Sequence, residues 1–155
     1  MIASRTPAPA GDTLRTRAAA APAWRFVLGG VVAAAGAAAT NLAWRHAYPG
    51  VTGHVVPALI DPTSVVVASV LSVLLAAGVY LLLSRGFAIA TPLYIGGCIL
   101  TAAVTCVAAF APVLPDGMPV PEGFPLLTVP MHIGAGLVAA VVVPLTALFG
   151  VKPAA

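Results

Sequence analysis

DPTSVVVASVLSVLLAAGVYLLLSRG, residues 61–86, decides the fold. Between Asp61 and Arg85 there is no charge. The apolar run from Pro62 to Ser84 exceeds the roughly 20 residues needed to cross a ~30 Å hydrocarbon core at ~1.5 Å per residue. Lipid offers backbone N–H and C=O groups no partner, so such a run must be helical. Asp61 followed by Pro62 reads as an N-cap and first helical residue, with Ser64 close behind. Ser84-Arg85-Gly86 reads as a three-residue hairpin, with Gly86 suited to a left-handed cap.

Three more runs of the same kind flank this one: about Trp24 to Tyr48, Phe87 to about Val113, and Phe124 to Phe149. The whole chain agrees with them. Of its 155 residues 61% are hydrophobic and 7% charged, against about 25% charged in a soluble domain. Mean hydropathy is +1.07. Too few charges remain to cover the surface of a water-soluble fold. The runs are too long, and lack the period-2 polar face, for strands of a membrane barrel. The expectation is an all-α membrane protein: a four-transmembrane-helix antiparallel bundle over residues 23–151, with spans near 24–48, 62–84, 87–113 and 124–149. Pro112 to Pro125, rich in proline and glycine, reads as a loop. The Val55–Ile60 run reads either as an interfacial stretch or as a short helical piece.

Residues 1–22 are rich in Ala, Pro, Thr and Arg, with little to bury, and read as a disordered cytoplasmic tail. A cleaved signal peptide is the rival reading, but the apolar run continues through Asn41-Leu42-Ala43-Trp44, beyond the usual ~7–15 residues of such a segment. The basic residues flank spans and are not interleaved with polar recognition groups, so the pI near 9.3 does not indicate nucleic-acid binding. They set orientation instead. The tail arginines, Arg85 and Lys152 fall on one side and only Arg45 on the other, which predicts both termini in the cytoplasm.

Helices in lipid associate through close contact and interhelical hydrogen bonds, not through the hydrophobic effect. Span one is almost all small residues from Gly29 to Thr40, a natural centre for the bundle. Span three carries Thr91, Tyr94, Cys98, Thr101 and Thr105 on one face. Span four carries His132, Gly136, Ala139, Ala140 and Val143 likewise. Depth reckoning places Asn41, Ser69, Thr105 and His132 in one layer of the outer half of the membrane. They form a candidate intramembrane polar cluster centred on Asn41 and His132, either a set of interhelical hydrogen bonds or a ligand site. Pro130 and Pro144 interrupt the hydrogen-bond ladder of span four and are hinge candidates, with a static kink as the plainer reading.

No reaction motif emerges. Cys98 and Cys106 read as small buried hydrophobes. Only His132 of the three histidines lies well inside a span, one ligand short of bis-histidine haem. The loop residues His46, His54, Asp61, Asp116 and Glu122 lack metal-ligand spacing. There is no phosphate loop, nucleophile elbow or HExxH. No cofactor, no metal and no enzyme activity are expected.

Thr40-Asn41-Leu42 at the end of span one, Ser-Arg-Gly after a Leu-rich span two, and Met131-His132 early in span four resemble a family of small four-span bacterial membrane proteins, a domain of unknown function. The resemblance covers about residues 24–150. It implies the four-span architecture and a bacterial inner membrane, and no activity. The expected partners are the lipid bilayer and either a second copy of the chain or another membrane protein. Two functions stand open: a non-enzymatic packing or accessory subunit of a membrane complex, and a small-molecule or lipid binder or minimal transporter using the polar layer.

Overall fold

The computed structural model describes residues 21–111, 113 and 117–149. Most of the N-terminal tail, Asp116 and Lys152 lie outside the described residues. Four helices follow one another: α1 (Ala23–Thr52), α2 (Pro62–Gly86), α3 (Ala90–Ala108) and α4 (Phe124–Leu148). All four are long and apolar enough to cross a membrane, as in a multi-pass membrane protein. No strand occurs among the described residues; Val113 and Pro119 form an isolated antiparallel bridge.

Helix ends follow local chemistry. Asp61 caps α2: its Oδ1 accepts from the backbone N–H groups of Thr63 at 2.8 Å and Ser64 at 3.1 Å. The Ser64 hydroxyl and backbone N–H beside it hold the exposed Asp61 carboxyl below its ordinary value. Gly86 is not a left-handed cap. It remains inside α2, no positive φ is found there, and Phe87 ends the helix in an extended conformation. Glycine permits the left-handed region without requiring it. The link to α3 is therefore Phe87–Ile89 instead of Ser84–Gly86. The left-handed cap falls at Gly53, φ 75°, whose N–H closes on the Pro49 carbonyl at 2.9 Å.

Two span ends differ from expectation. The first helix runs through Pro49 to Thr52, one turn beyond Tyr48. The third stops at Ala108, short of Val113. There the N–H groups of Ala109, Phe110 and Ala111 bond three residues back, the tighter winding common at helix ends. Pro112 follows and disfavours helical geometry at Ala111. The Val55–Ile60 segment is not helical and closes a turn from Ile60 N–H to the Pro57 carbonyl.

The small-residue helix α1 is the most buried of the four but is not the centre, since α2 and α4 each pack on all three other helices and α1 only on those two. The buried face of α1 is Gly29, Gly30, Ala33, Ala34, Ala37, Ala38 and Asn41, continued by Phe26 and Tyr48. It packs most extensively on α4, then on α2, whereas α3 packs mainly on α4 and does not touch α1. The approaches are close because side chains are missing. A Cβ on Gly29 would lie 3.0 Å from the Val143 carbonyl of α4, and one on Gly30 2.8 Å from the Ala77 methyl of α2. On the other side, one on Gly136 would lie 2.8 Å from the Ala102 methyl of α3.

Near the start of α1 an aromatic layer joins three helices. Phe26 and Tyr80 have ring centroids 5.2 Å apart, and Tyr80 and Tyr94 4.6 Å. The Tyr80 hydroxyl and Thr91 Oγ1 are 2.9 Å apart. A second buried cluster, Tyr48, Val65, Leu127 and Met131, closes the opposite end, with Val56 and Ile60 packed on it.

Candidate functional site

Asn41 is 6% exposed and sits on α1 against Ser69 of α2. Its Nδ2 donates to Ser69 Oγ at 3.0 Å. The Ser69 hydroxyl in turn donates to the Val65 carbonyl at 2.7 Å. Its single proton is thereby committed, so it offers Asn41 only a lone pair, which fixes the orientation of the amide. The other amide atom, Oδ1, is buried and accepts no hydrogen bond. Nearby is Gly134 of α4, where a Cβ would lie 3.9 Å from it.

The other two members of the expected layer are placed differently. Thr105 folds back on its own helix, donating to the carbonyls of Thr101 at 2.9 Å and Ala102 at 3.0 Å. His132 is half-buried and has no hydrogen-bond partner among the described residues. Asn41 thus pairs with Ser69 and not with His132. All four nevertheless border one groove.

That groove has a volume of about 730 Å³ and lies between α2, α3 and α4. Asn41 is the one α1 residue in its wall. Ser72, Cys98, Thr101 and His132 add polar atoms to a wall otherwise dominated by apolar side chains. No Asp, Glu, Lys or Arg lines it. Leu75 and Val79 of α2 and Leu93 of α3 border it and are exposed. The mouth therefore opens sideways between α2 and α3.

The two prolines of α4 do not break it; the helix is continuous from Phe124 to Leu148. Donors from neighbouring helices reach carbonyls near each. Trp44 Nε1 donates to Leu127 O at 3.0 Å, three residues before Pro130. Tyr94 Oη donates to Ala139 O at 3.1 Å, five residues before Pro144. Neither is the carbonyl that the missing proline N–H leaves free, which lies four residues earlier at Leu126 or Ala140.

Sequence reasoning did not single out the residues that lock the two ends. Tyr48 Oη donates to Gly123 O at 2.9 Å, His54 stacks on Tyr48, and Arg45 Nε donates to Ile60 O at 2.6 Å. At the opposite end Arg25 donates to the Phe149 carbonyl, and Arg85 donates to the Ala21 carbonyl at 2.8 Å while covering the Phe26 ring. The available signal was the enrichment of Trp, Tyr and Arg at the ends of spans. Cys98 and Cys106 are free thiols, both half-buried on α3. Among the described residues no three of His, Cys, Asp and Glu gather as a metal-ligand set.

Comparison of the chain with protein-family models, with curated proteins and with solved structures finds no match.

Proposed function

We propose that this chain is a non-enzymatic multi-pass membrane protein that binds an apolar small molecule or lipid in the groove between α2, α3 and α4. The supporting observation is the groove itself. A volume of about 730 Å³ lies within the ~300–1,000 Å³ of ligand pockets, which are mostly apolar with a few placed polar groups. A mouth between two lipid-facing helices admits a ligand from the bilayer without passing through water. The accessory-subunit reading rests on short links between helices, the small-residue helix faces and the absence of a catalytic motif in the sequence, and has no cavity of its own to support it.

The test is a native-mass measurement on the full chain extracted in mild detergent. A retained small molecule or lipid is expected on the wild type and not on Thr101→Trp. Thr101 is exposed and borders the groove, so the indole fills the space without entering the core. A stoichiometric protein partner with no retained small molecule favours the accessory-subunit reading and counts against binding. So does equal retention by Thr101→Trp.

The same reading places the chain in a bacterial inner membrane as an antiparallel bundle with both termini cytoplasmic. The excess of Lys and Arg on one side supports it. With Cys98 and Cys106 replaced by alanine, Glu122→Cys is expected to react with an impermeant maleimide in intact cells, and Gly86→Cys only after lysis. Both positions are exposed, and a Cβ at Gly86 meets nothing within 4 Å. The reverse labelling pattern overturns the orientation.

A further inference from the structure

We propose that the cleft between the start of α1 and the end of α4 binds an anionic phospholipid, its phosphate on Arg25 and an acyl chain along the apolar wall. This site is separate from the groove between α2, α3 and α4 and does not depend on it.

Three observations carry it. The first is an unbalanced cation. Arg25 is half-buried in the first turn of α1. The acids among the described residues, Asp61 and Glu122, both lie at the opposite end of the bundle. A charge drawn out of water is costly unless it is paired. Nη1 donates to the Phe149 carbonyl, which is neutral. Nε is buried without a partner, so it is closed to a ligand. Nη2 has no partner among the described residues and is not sealed as Nε is. Its two N–H groups are the ones an anion meets, and phosphate suits a guanidinium.

The second observation is the cleft. A space of about 350 Å³ is lined by Trp24, Arg25, Leu28, Leu145, Thr146 and Phe149. It is open to the surroundings, since Trp24, Leu28, Leu145 and Phe149 are all exposed. Thr146 is half-buried, and its hydroxyl makes no hydrogen bond among the described residues, so it can supply a further donor. A free phosphate would match the cation and leave the apolar wall bare. A phospholipid covers both.

The third is depth. Trp24 and Arg25 begin α1 and Phe149 follows the last residue of α4, so the cation stands where a bilayer places its headgroups, the level at which Trp is also enriched. Leu28 and Leu145 lie one turn deeper, where an acyl chain begins. Basic pockets between membrane helices at this level bind lipid headgroups. No acid lines the cleft, so a headgroup ammonium finds no counter-charge there. A headgroup of phosphate and hydroxyls needs none.

The test is native mass spectrometry on the full chain in mild detergent, titrated with dioleoyl phosphatidylglycerol or dioleoyl phosphatidylcholine. The phosphatidylglycerol is expected to bind about tenfold more tightly, within what one hydrogen bond to a charged group produces. Arg25→Gln is expected to bring the two lipids level. Arg45→Gln removes the same charge at the opposite end and is expected to keep the ratio. Leu145→Trp fills the cleft from an exposed position and is expected to abolish the ratio, which keeps the test decisive even if Arg25→Gln does not fold. Thr101→Trp, in the other groove, is expected to leave it unchanged. Equal binding of the two lipids by the wild type overturns the proposal, and so does a ratio that survives Leu145→Trp. Loss of the ratio in Thr101→Trp or Arg45→Gln overturns it by placing the lipid elsewhere. Displacement of the phosphatidylglycerol by equimolar inorganic phosphate overturns it in favour of a free-phosphate site.

Discussion

Gly30→Leu is expected to cost about 3 kcal/mol or more, the upper part of the range for forcing bulk into a packed interior. The reason is that the Cβ alone already collides. It would lie 2.8 Å from the Ala77 methyl, and an alanine has no rotamer with which to retreat. Relief requires α1 and α2 to move apart. That movement also stretches the Asn41–Ser69 hydrogen bond on the same interface. Gly78 and Gly96 supply the control, since a Cβ at either meets nothing within 4 Å. Gly78→Leu and Gly96→Leu are expected to stay within about 0.5 kcal/mol of the wild type, as surface changes do. Unfolding in mixed micelles of mild detergent and dodecyl sulfate, followed by helical circular dichroism, measures all three. A Gly30→Leu midpoint equal to that of Gly96→Leu would refute the close approach of α1 and α2.

Tyr80→Ala is expected to be the next most damaging change, at about 2–4 kcal/mol. A large aromatic cut to alanine in a soluble core costs ~3–5 kcal/mol, part of it transfer from water and part the cavity left behind. Here the separated helices lie in lipid, which is as apolar as the core, so little of the transfer part applies. The cavity part stays. Tyr80 is fully buried, its ring meets both Phe26 and Tyr94, and its hydroxyl pairs with Thr91. Its removal uncouples three helices at once. Tyr80→Phe keeps the rings and loses the one interhelical hydrogen bond, for which about 0.6 kcal/mol and at most ~1.7 kcal/mol is expected. The same micelle titration measures both. A Tyr80→Ala loss no larger than that of Tyr80→Phe would show that the ring contacts contribute nothing.

The features legible in the sequence are those set locally. Apolar length marked all four spans, because the hydrocarbon thickness is fixed and the helical rise is fixed. Asp61-Pro62 marked a helix start, since an N-cap needs only its next three residues. The small face of α1 marked a side of close approach, at Gly29 and Gly30, since closeness is what association in lipid rewards, but it did not make α1 the centre. Gly86 misled because a residue's tolerance for a conformation does not make the chain adopt it. The first helix runs past Tyr48 because Pro49, near the helix end, removes one hydrogen bond and does not oblige the helix to stop.

At the site, depth matching put Asn41, Ser69, Thr105 and His132 in one layer centred on Asn41 and His132, and Asn41 bonds Ser69 instead. It could not separate that pairing from Asn41 with His132. Depth fixes height along the membrane normal, and rotation about each helix axis decides which groups meet. Thr105 shows the same limit. Its hydroxyl had a carbonyl of its own helix within reach, and that local partner won. The groove was not legible at all. It exists because α3 leans on α4 and not on α1, a relation between distant segments that no single stretch encodes.

The most extensive helix–helix contact among the described residues joins the first helix to the last. Arg25 reaches the Phe149 carbonyl at one end, and Trp44 the Leu127 carbonyl and Tyr48 the Gly123 carbonyl at the other. A ribosome adding about 5–20 residues per second delivers α1 to the bilayer several seconds before α4 exists. For that interval the Gly- and Ala-lined side of α1 has only α2 to lean on. The nascent chain therefore waits half-assembled in the membrane, and the arrival of its final segment is the event that completes it.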